Sequence, residues 1–157
     1  MPDFSQEFIK SKGQPIIYKD KTVKLADVLN INKTQKIKLI IEKIGSKYRQ
    51  GIALKINEGS VIHQTEEYKK KSKNGIVFAQ WADEEPEYEV ILKNTDRMLR
   101  IWNYWAQETV TGTIRASWTK GAAMIVEELP NGRRYHCNDW EPDEDFDDLI
   151  FRIELID

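Results

Sequence analysis

The sequence predicts an all-β chain: an antiparallel β-sandwich of jelly-roll type, with a short helical or irregular segment at its N-terminus. Three observations carry that expectation. Apolar and polar residues alternate with the two-residue period of a half-buried strand in eight or so segments, spaced by roughly ten residues. Asn, Gly and Asp punctuate the gaps between them. Little of the chain shows the 3.6-residue period of a helix, and such a pattern of short strands and polar turns is the signature of a sandwich. At 157 residues the chain reads as a single domain, 1–157, long enough to bury about two thirds of its unfolded surface. Its periodicity does not change along the way, so no linker or second domain is expected.

Phe4, Phe8 and Ile9 fit one or two helical turns ended by Gly13. Residues 14–18 look extended, and 23–29 form too short an apolar run to separate helix from strand. From Gln35 the pattern is β: Ile37, Leu39 and Ile41 alternate with lysines, and Ile52, Leu54 and Ile56 follow, with a turn at 57–60. Residues 61–73 read equally as a short helix capped by Ser60 or as a polar edge strand or loop whose lysines (69, 70, 71 and 73) blunt the edge. Residues 76–81 are apolar on both parities, as in a strand buried on two sides. Tyr88, Val90 and Leu92 come next, then residues 97–105, then Val110 to Trp118, the cleanest alternation in the chain. Residues 122–129 and 133–137 flank Pro130-Asn131-Gly132, and Asn-Gly between β-patterned runs predicts a hairpin with a two-residue type I′ turn. Leu149, Phe151, Ile153 and Leu155 make the final strand.

Net charge is −2, unevenly distributed: residues 1–73 hold 16 Lys and Arg against 8 Asp and Glu, a net +8, and residues 74–157 hold 8 against 18, a net −10. The lysine run lacks interleaved aromatics or arginines, so nucleic-acid binding is not expected. Cys137 is the only cysteine, so no internal disulfide forms, and a lone thiol is more often a small core residue than a nucleophile. The N-terminus has neither a basic n-region nor an apolar h-region, and no apolar run approaches a membrane span. The expectation is therefore a soluble protein, cytoplasmic or exported by a non-classical route. Catalytic constellations are sparse. The two histidines, His63 and His136, have no metal-ligand spacing; His136 and Cys137, adjacent on one strand, point to opposite faces; and no phosphate-binding glycine loop is present. No enzyme is expected.

Residues 138–148, Asn-Asp-Trp-Glu-Pro-Asp-Glu-Asp-Phe-Asp-Asp, concentrate seven carboxylates between two strands. Crowding that many acids costs mutual repulsion, which a cation accepting several of their oxygens would turn into binding energy. The alternative is a solvated acidic turn. Asp143, Asp145 and Asp147 form the Asp-x-Asp-x-Asp alternation of calcium loops, although an EF-hand fails because Asp148 stands where its glycine belongs and the flanks are strands. The candidate calcium ligands are Asp139, Asp143, Asp145, Asp147 and Asp148. Trp140, inside the loop, and His136, on the strand entering it, are the candidate ligand contacts.

The same stretch, from Tyr135-His136-Cys137-Asn138-Asp139 through Asp147-Asp148 to Phe151-Arg152-Ile153, resembles the calcium-dependent galactose-binding lectins of bacteria, which are small jelly-roll sandwiches. The resemblance implies that Asp139, after Asn138, is a calcium ligand and that the ion itself takes sugar hydroxyls. Asp143 stands in place of the family's Thr, and Phe146-Asp147 in place of its paired Asn. Asp147 still offers an oxygen where Phe146 does not. Trp81, Trp102, Trp105 and Trp118 are read as core or sheet-face residues; Trp140 either stacks on a sugar, meets a membrane interface, or folds back over the end of the sandwich. The function expected is a calcium-dependent, non-enzymatic module binding a carbohydrate or glycoconjugate. The alternatives are a calcium-dependent membrane-binding module and a protein-interaction subunit of a bacterial toxin, immunity or injection system.

Overall fold

A computed structural model describes residues 4–69, 75–118, 121–140 and 145–157. Among these, one helix, α1 (Phe4–Lys10), precedes fourteen strands. These are β1 (Ile16–Tyr18), β2 (Lys21–Lys24), β3 (Asp27–Asn30), β4 (Thr34–Ile44), β5 (Gln50–Ile56), β6 (Ser60–His63), β7 (Glu66–Lys69), β8 (Ile76–Trp81), β9 (Glu87–Lys93), β10 (Met98–Thr109), β11 (Gly112–Ala116), β12 (Ala123–Leu129), β13 (Gly132–Asn138) and β14 (Leu149–Ile156).

Eight of these strands make the jelly roll. β6 pairs with β7, β5 with β8, β4 with β9 and β3 with β10, all antiparallel, so the chain from β3 to β10 is one long hairpin. Folding that hairpin over sends successive pairs into alternate sheets, with strand orders β3-β10-β5-β8 and β4-β9-β6-β7. The second sheet is extended beyond β4 by β14, β13, β12, β2 and β1, and β11 continues the edge of β10 that β3 occupies at its other end. The jelly-roll expectation therefore holds, with more strands than the eight or so expected because β1, β2, β12, β13 and β14 broaden one sheet and β11 lengthens the edge of the other.

The core follows from the alternation. Ile37, Leu39, Ile52, Leu54, Val90, Leu92, Leu99, Ile101, Phe151 and Ile153 point between the sheets and are almost wholly buried. A second cluster lies at the far end of the broad sheet, where Phe4 and Phe8 of α1 cover Val23, Ala123 and Phe146. The helix ends as a Schellman motif: Gly13 N–H donates to the Phe8 carbonyl at 2.8 Å and Lys12 N–H to that of Ile9 at 3.2 Å. The left-handed position falls on Lys12, at φ 57°.

Several local expectations resolve differently in space. Residues 23–29 divide between two strands, β2 and β3, and 61–69 form the β6–β7 hairpin at a sheet edge, the edge-strand reading; Lys70, Lys71 and Lys73 lie outside the described residues. β8 is buried on one face only: Ile76, Phe78 and Gln80 are buried, whereas Val77 on the other face is exposed. The cleanest alternation belongs to β11, yet that strand, paired with β10 at the edge of its sheet, is exposed along nearly all its length, Ile114 included. The hairpin joining β12 and β13 is present, but Leu129 pairs with Gly132, so its loop is Pro130-Asn131, and neither Asn131 nor Gly132 has positive φ. The type I′ expectation fails because proline fixes its own φ at a negative value. Gly132 is needed for space instead: a Cβ there would lie 1.8 Å from the Ile153 carbonyl oxygen of β14.

Candidate functional site

The acidic loop leaves β13 at Asn138 and re-enters the sheet at Leu149, which pairs with Cys137. Its neck is a buried polar network. Asn138 Oδ1 accepts the Phe146 N–H at 2.8 Å, and Asp148 Oδ2 accepts the Asp139 N–H at 2.8 Å, which closes the loop on itself. Asp139 is fully buried, and its carboxylate accepts hydrogen bonds from the Ser46 hydroxyl and from Gln50 Nε2. Gln50 belongs to the opposite sheet, as does Asn103, whose Nδ2 donates to the Asn138 carbonyl at 2.9 Å. Gly45 N–H, at the end of β4, donates to the Asp148 carbonyl at 3.0 Å. The loop neck thus fastens the two sheets together at one end.

Four of the five candidate metal ligands are described, and they take different positions. Asp139 and Asp148 are buried acceptors for protein donors, Asp147 pairs with Lys43 Nζ at 2.8 Å, Asp145 is exposed, and Asp143 lies outside the described residues together with Glu141 and Glu144. Calcium takes about six to eight oxygens, and among the described residues no three or more His, Cys, Asp or Glu side chains converge as a metal would require. Asp139→Asn is expected to lower stability by about 1–3 kcal/mol, the cost of leaving a buried donor or acceptor unsatisfied. Thermal melts in millimolar calcium and in chelator check it, and the loss should be the same in both.

His136 and Cys137 do face opposite ways. Cys137 is fully buried, and burial, reinforced by Asp148, raises its thiol pKa well above the ordinary range, which leaves it inert as a nucleophile. His136 lies on the outer face of the broad sheet, with Nε2 3.2 Å from Glu127 Oε1. That contact, with the nearby Arg134, lowers the Glu127 pKa. Trp140 folds back: its ring packs on Tyr48 at 5.7 Å between centroids, and its carbonyl accepts the Gly121 N–H. Phe146, at φ 51°, is buried against Phe4 rather than offered to the loop.

Two of the candidates do meet. His136 and Asp145 border an open groove of about 500 Å³, with Glu127, Lys21 and Thr22 supplying further polar groups and Ile125, Val126 and Phe146 its apolar wall. Lys21, Thr22 and Glu127 escaped sequence reasoning because they reach the groove from β2 and β12, which are remote in the chain. For the loop neck a signal was present. Asn103 occupies the same parity of β10 as Leu99, Ile101 and Trp105, and a polar residue in an inward series has to find a buried partner.

Comparison of the chain with protein-family models, with curated proteins and with solved structures gives no match. Among the described residues no helix is long and apolar enough to cross a membrane.

Proposed function

We propose that this jelly-roll chain is a non-enzymatic carbohydrate-binding module whose ligand lies in the groove beside the acidic loop. The observation that carries the reading is the composition of that groove: an imidazole, two carboxylates, a hydroxyl and an ammonium group stand around an apolar wall. Saccharides need this combination, because each ring presents hydroxyls around its edge and an apolar C–H face. A volume of about 500 Å³ falls within the usual range for a small-ligand site. The groove supplies these groups without an ion, so no step of the reading passes through calcium. A membrane-binding reading would draw on Trp140, whose ring is turned onto Tyr48.

The test is calorimetric titration with neutral oligosaccharides, comparing the wild type with the double variant His136→Ala/Asp145→Ala. The variant is expected to bind at least tenfold more weakly, since each removed group supplies hydrogen bonds worth roughly 0.5–1.5 kcal/mol apiece. Unchanged affinity would remove the groove from the reading. Repeating both titrations in calcium and in chelator exposes any requirement for the ion.

A further inference from the structure

A second groove, of about 510 Å³, opens on the other side of β2, between the turn that ends α1, the β2–β3 connection and the outer face of β10. Its lining includes Lys12, Gln14, Lys24, Asp27, Arg100 and Trp118. Asp27 is the one carboxylate among all the groove's lining residues, and it is already committed: Lys24 Nζ lies 2.9 Å from one oxygen and Arg133 2.6 Å from the other. Lys12 and Arg100 make no ion pair with any described residue, so the groove carries uncompensated positive charge. The register makes this sharper. Arg100 lies directly across the β10–β5 ladder from Lys55, which also lacks a carboxylate partner among the described residues. Like charges facing each other across two strands oppose folding, and an anion bound beside them would turn that cost into affinity.

Trp118 supplies the other half of the site. It is 42% exposed, its ring packs on Trp102 at 5.0 Å between centroids, and its backbone is held at φ 62°. A bulky residue in the left-handed region is strained, and such strain gathers at ligand sites.

We infer that this groove binds an acidic saccharide, with one sugar face stacked on the Trp118 indole and the sugar carboxylate paired with Arg100. The class of ligand rests on the carbohydrate reading above; the site and the preference for negative charge rest on the groove's own residues. Arg100 is the better clamp of the two facing cations, because its planar guanidinium matches a carboxylate through two parallel hydrogen bonds.

The experiment is titration with trigalacturonate, its neutral counterpart galactotriose and AMP, followed by tryptophan fluorescence and calorimetry, on the wild type, Arg100→Gln, Trp118→Ala and His136→Ala/Asp145→Ala. Trigalacturonate is expected to bind the wild type, to weaken as salt is raised, to lose at least tenfold in Arg100→Gln and in Trp118→Ala, and to keep its affinity in the loop-groove variant. Arg100 is exposed, and replacing it relieves a like-charge contact, so the melting temperature of Arg100→Gln should not fall. The inference is overturned if trigalacturonate binds no better than galactotriose, if Arg100→Gln binds it unchanged, or if AMP binds equally well. Loss of trigalacturonate binding in the loop-groove variant alone would overturn it too. Galactotriose binding lost only in His136→Ala/Asp145→Ala reports on the loop groove separately, so the two readings fail independently.

Discussion

Asp27→Ala is expected to lower the unfolding free energy by about 3–5 kcal/mol, the range for removing one partner from a buried ion pair. Asp27 is fully buried, with Oδ1 2.9 Å from Lys24 Nζ and Oδ2 shared by Arg133 Nη1 at 2.6 Å and the Tyr135 hydroxyl at 2.8 Å. Removing the carboxylate takes the shared acceptor from a guanidinium, an ammonium and a buried phenol, of which Arg133 keeps the Val28 carbonyl and Glu128. It also cuts a tie between the sheets, because Asp27 opens β3 while Arg133 and Tyr135 belong to β13. Urea unfolding of the variant checks the size of the loss. A cost below about 1 kcal/mol, the range for exposed pairs, would show that water restores what the carboxylate supplied.

The same group sets an acid limit. Burial pushes the Asp27 pKa up, but hydrogen bonds from Arg133, Lys24 and Tyr135 and the charge of Arg133 outweigh it, so the folded-state pKa lies below the ordinary 3.8. A depressed carboxylate pKa contributes stability that is fully present above the unfolded-state value and is lost as pH falls through the folded-state value. The wild type should therefore lose stability below about pH 3.8, and a variant lacking the carboxylate should lose less over that window. Parallel acid titrations of the two would show identical slopes if Asp27 were uninvolved.

The sandwich was legible because its strands obey a two-residue period, and each inward series, such as Ile52, Leu54 and Ile56, is buried as the period requires. The turn chemistry was less so. Pro130 and Asn131 form a loop that the Asn-Gly pair alone does not specify, since the space Gly132 leaves is filled by the backbone of β14, a strand later in the chain. The acidic stretch was visible as composition, but its division of labour was not. Asp139 and Asp148 look like their neighbours in sequence, and only the arrival of Ser46, Gln50 and Gly45 from other strands makes them acceptors at the neck. The second groove left no local signal, because Lys12, Arg100 and Trp118 meet only when the α1 turn lies against β10.

Trp105→Ala is expected to cost about 3–5 kcal/mol, as large-to-small changes at a buried aromatic do, whereas Trp118→Ala should cost under about 1 kcal/mol because its ring is half in water. Periodicity alone does not separate the two. β10 carries aromatic residues on both parities, Trp102 and Tyr104 on one face and Trp105 on the other. Partners on neighbouring strands decide. Tyr104 lies across Gly51, where a Cβ would come within 2.2 Å of its ring, and its other neighbours are Trp81 and the guanidinium of Arg115; this marks the outer face. Trp105, one residue on, therefore points inward. It is fully buried, with its indole N–H donating to Gln107 Oε1 at 3.2 Å and its backbone in register with Gln50, the residue that holds Asp139. Truncating it opens a cavity one residue from the loop neck, so Trp105→Ala should also weaken ligand binding in the loop groove while Trp118→Ala leaves that binding intact. Thermal melts and neutral-oligosaccharide titrations on the two variants check both halves. A loss for Trp105→Ala no larger than that for Trp118→Ala would show that Trp105 does not point inward.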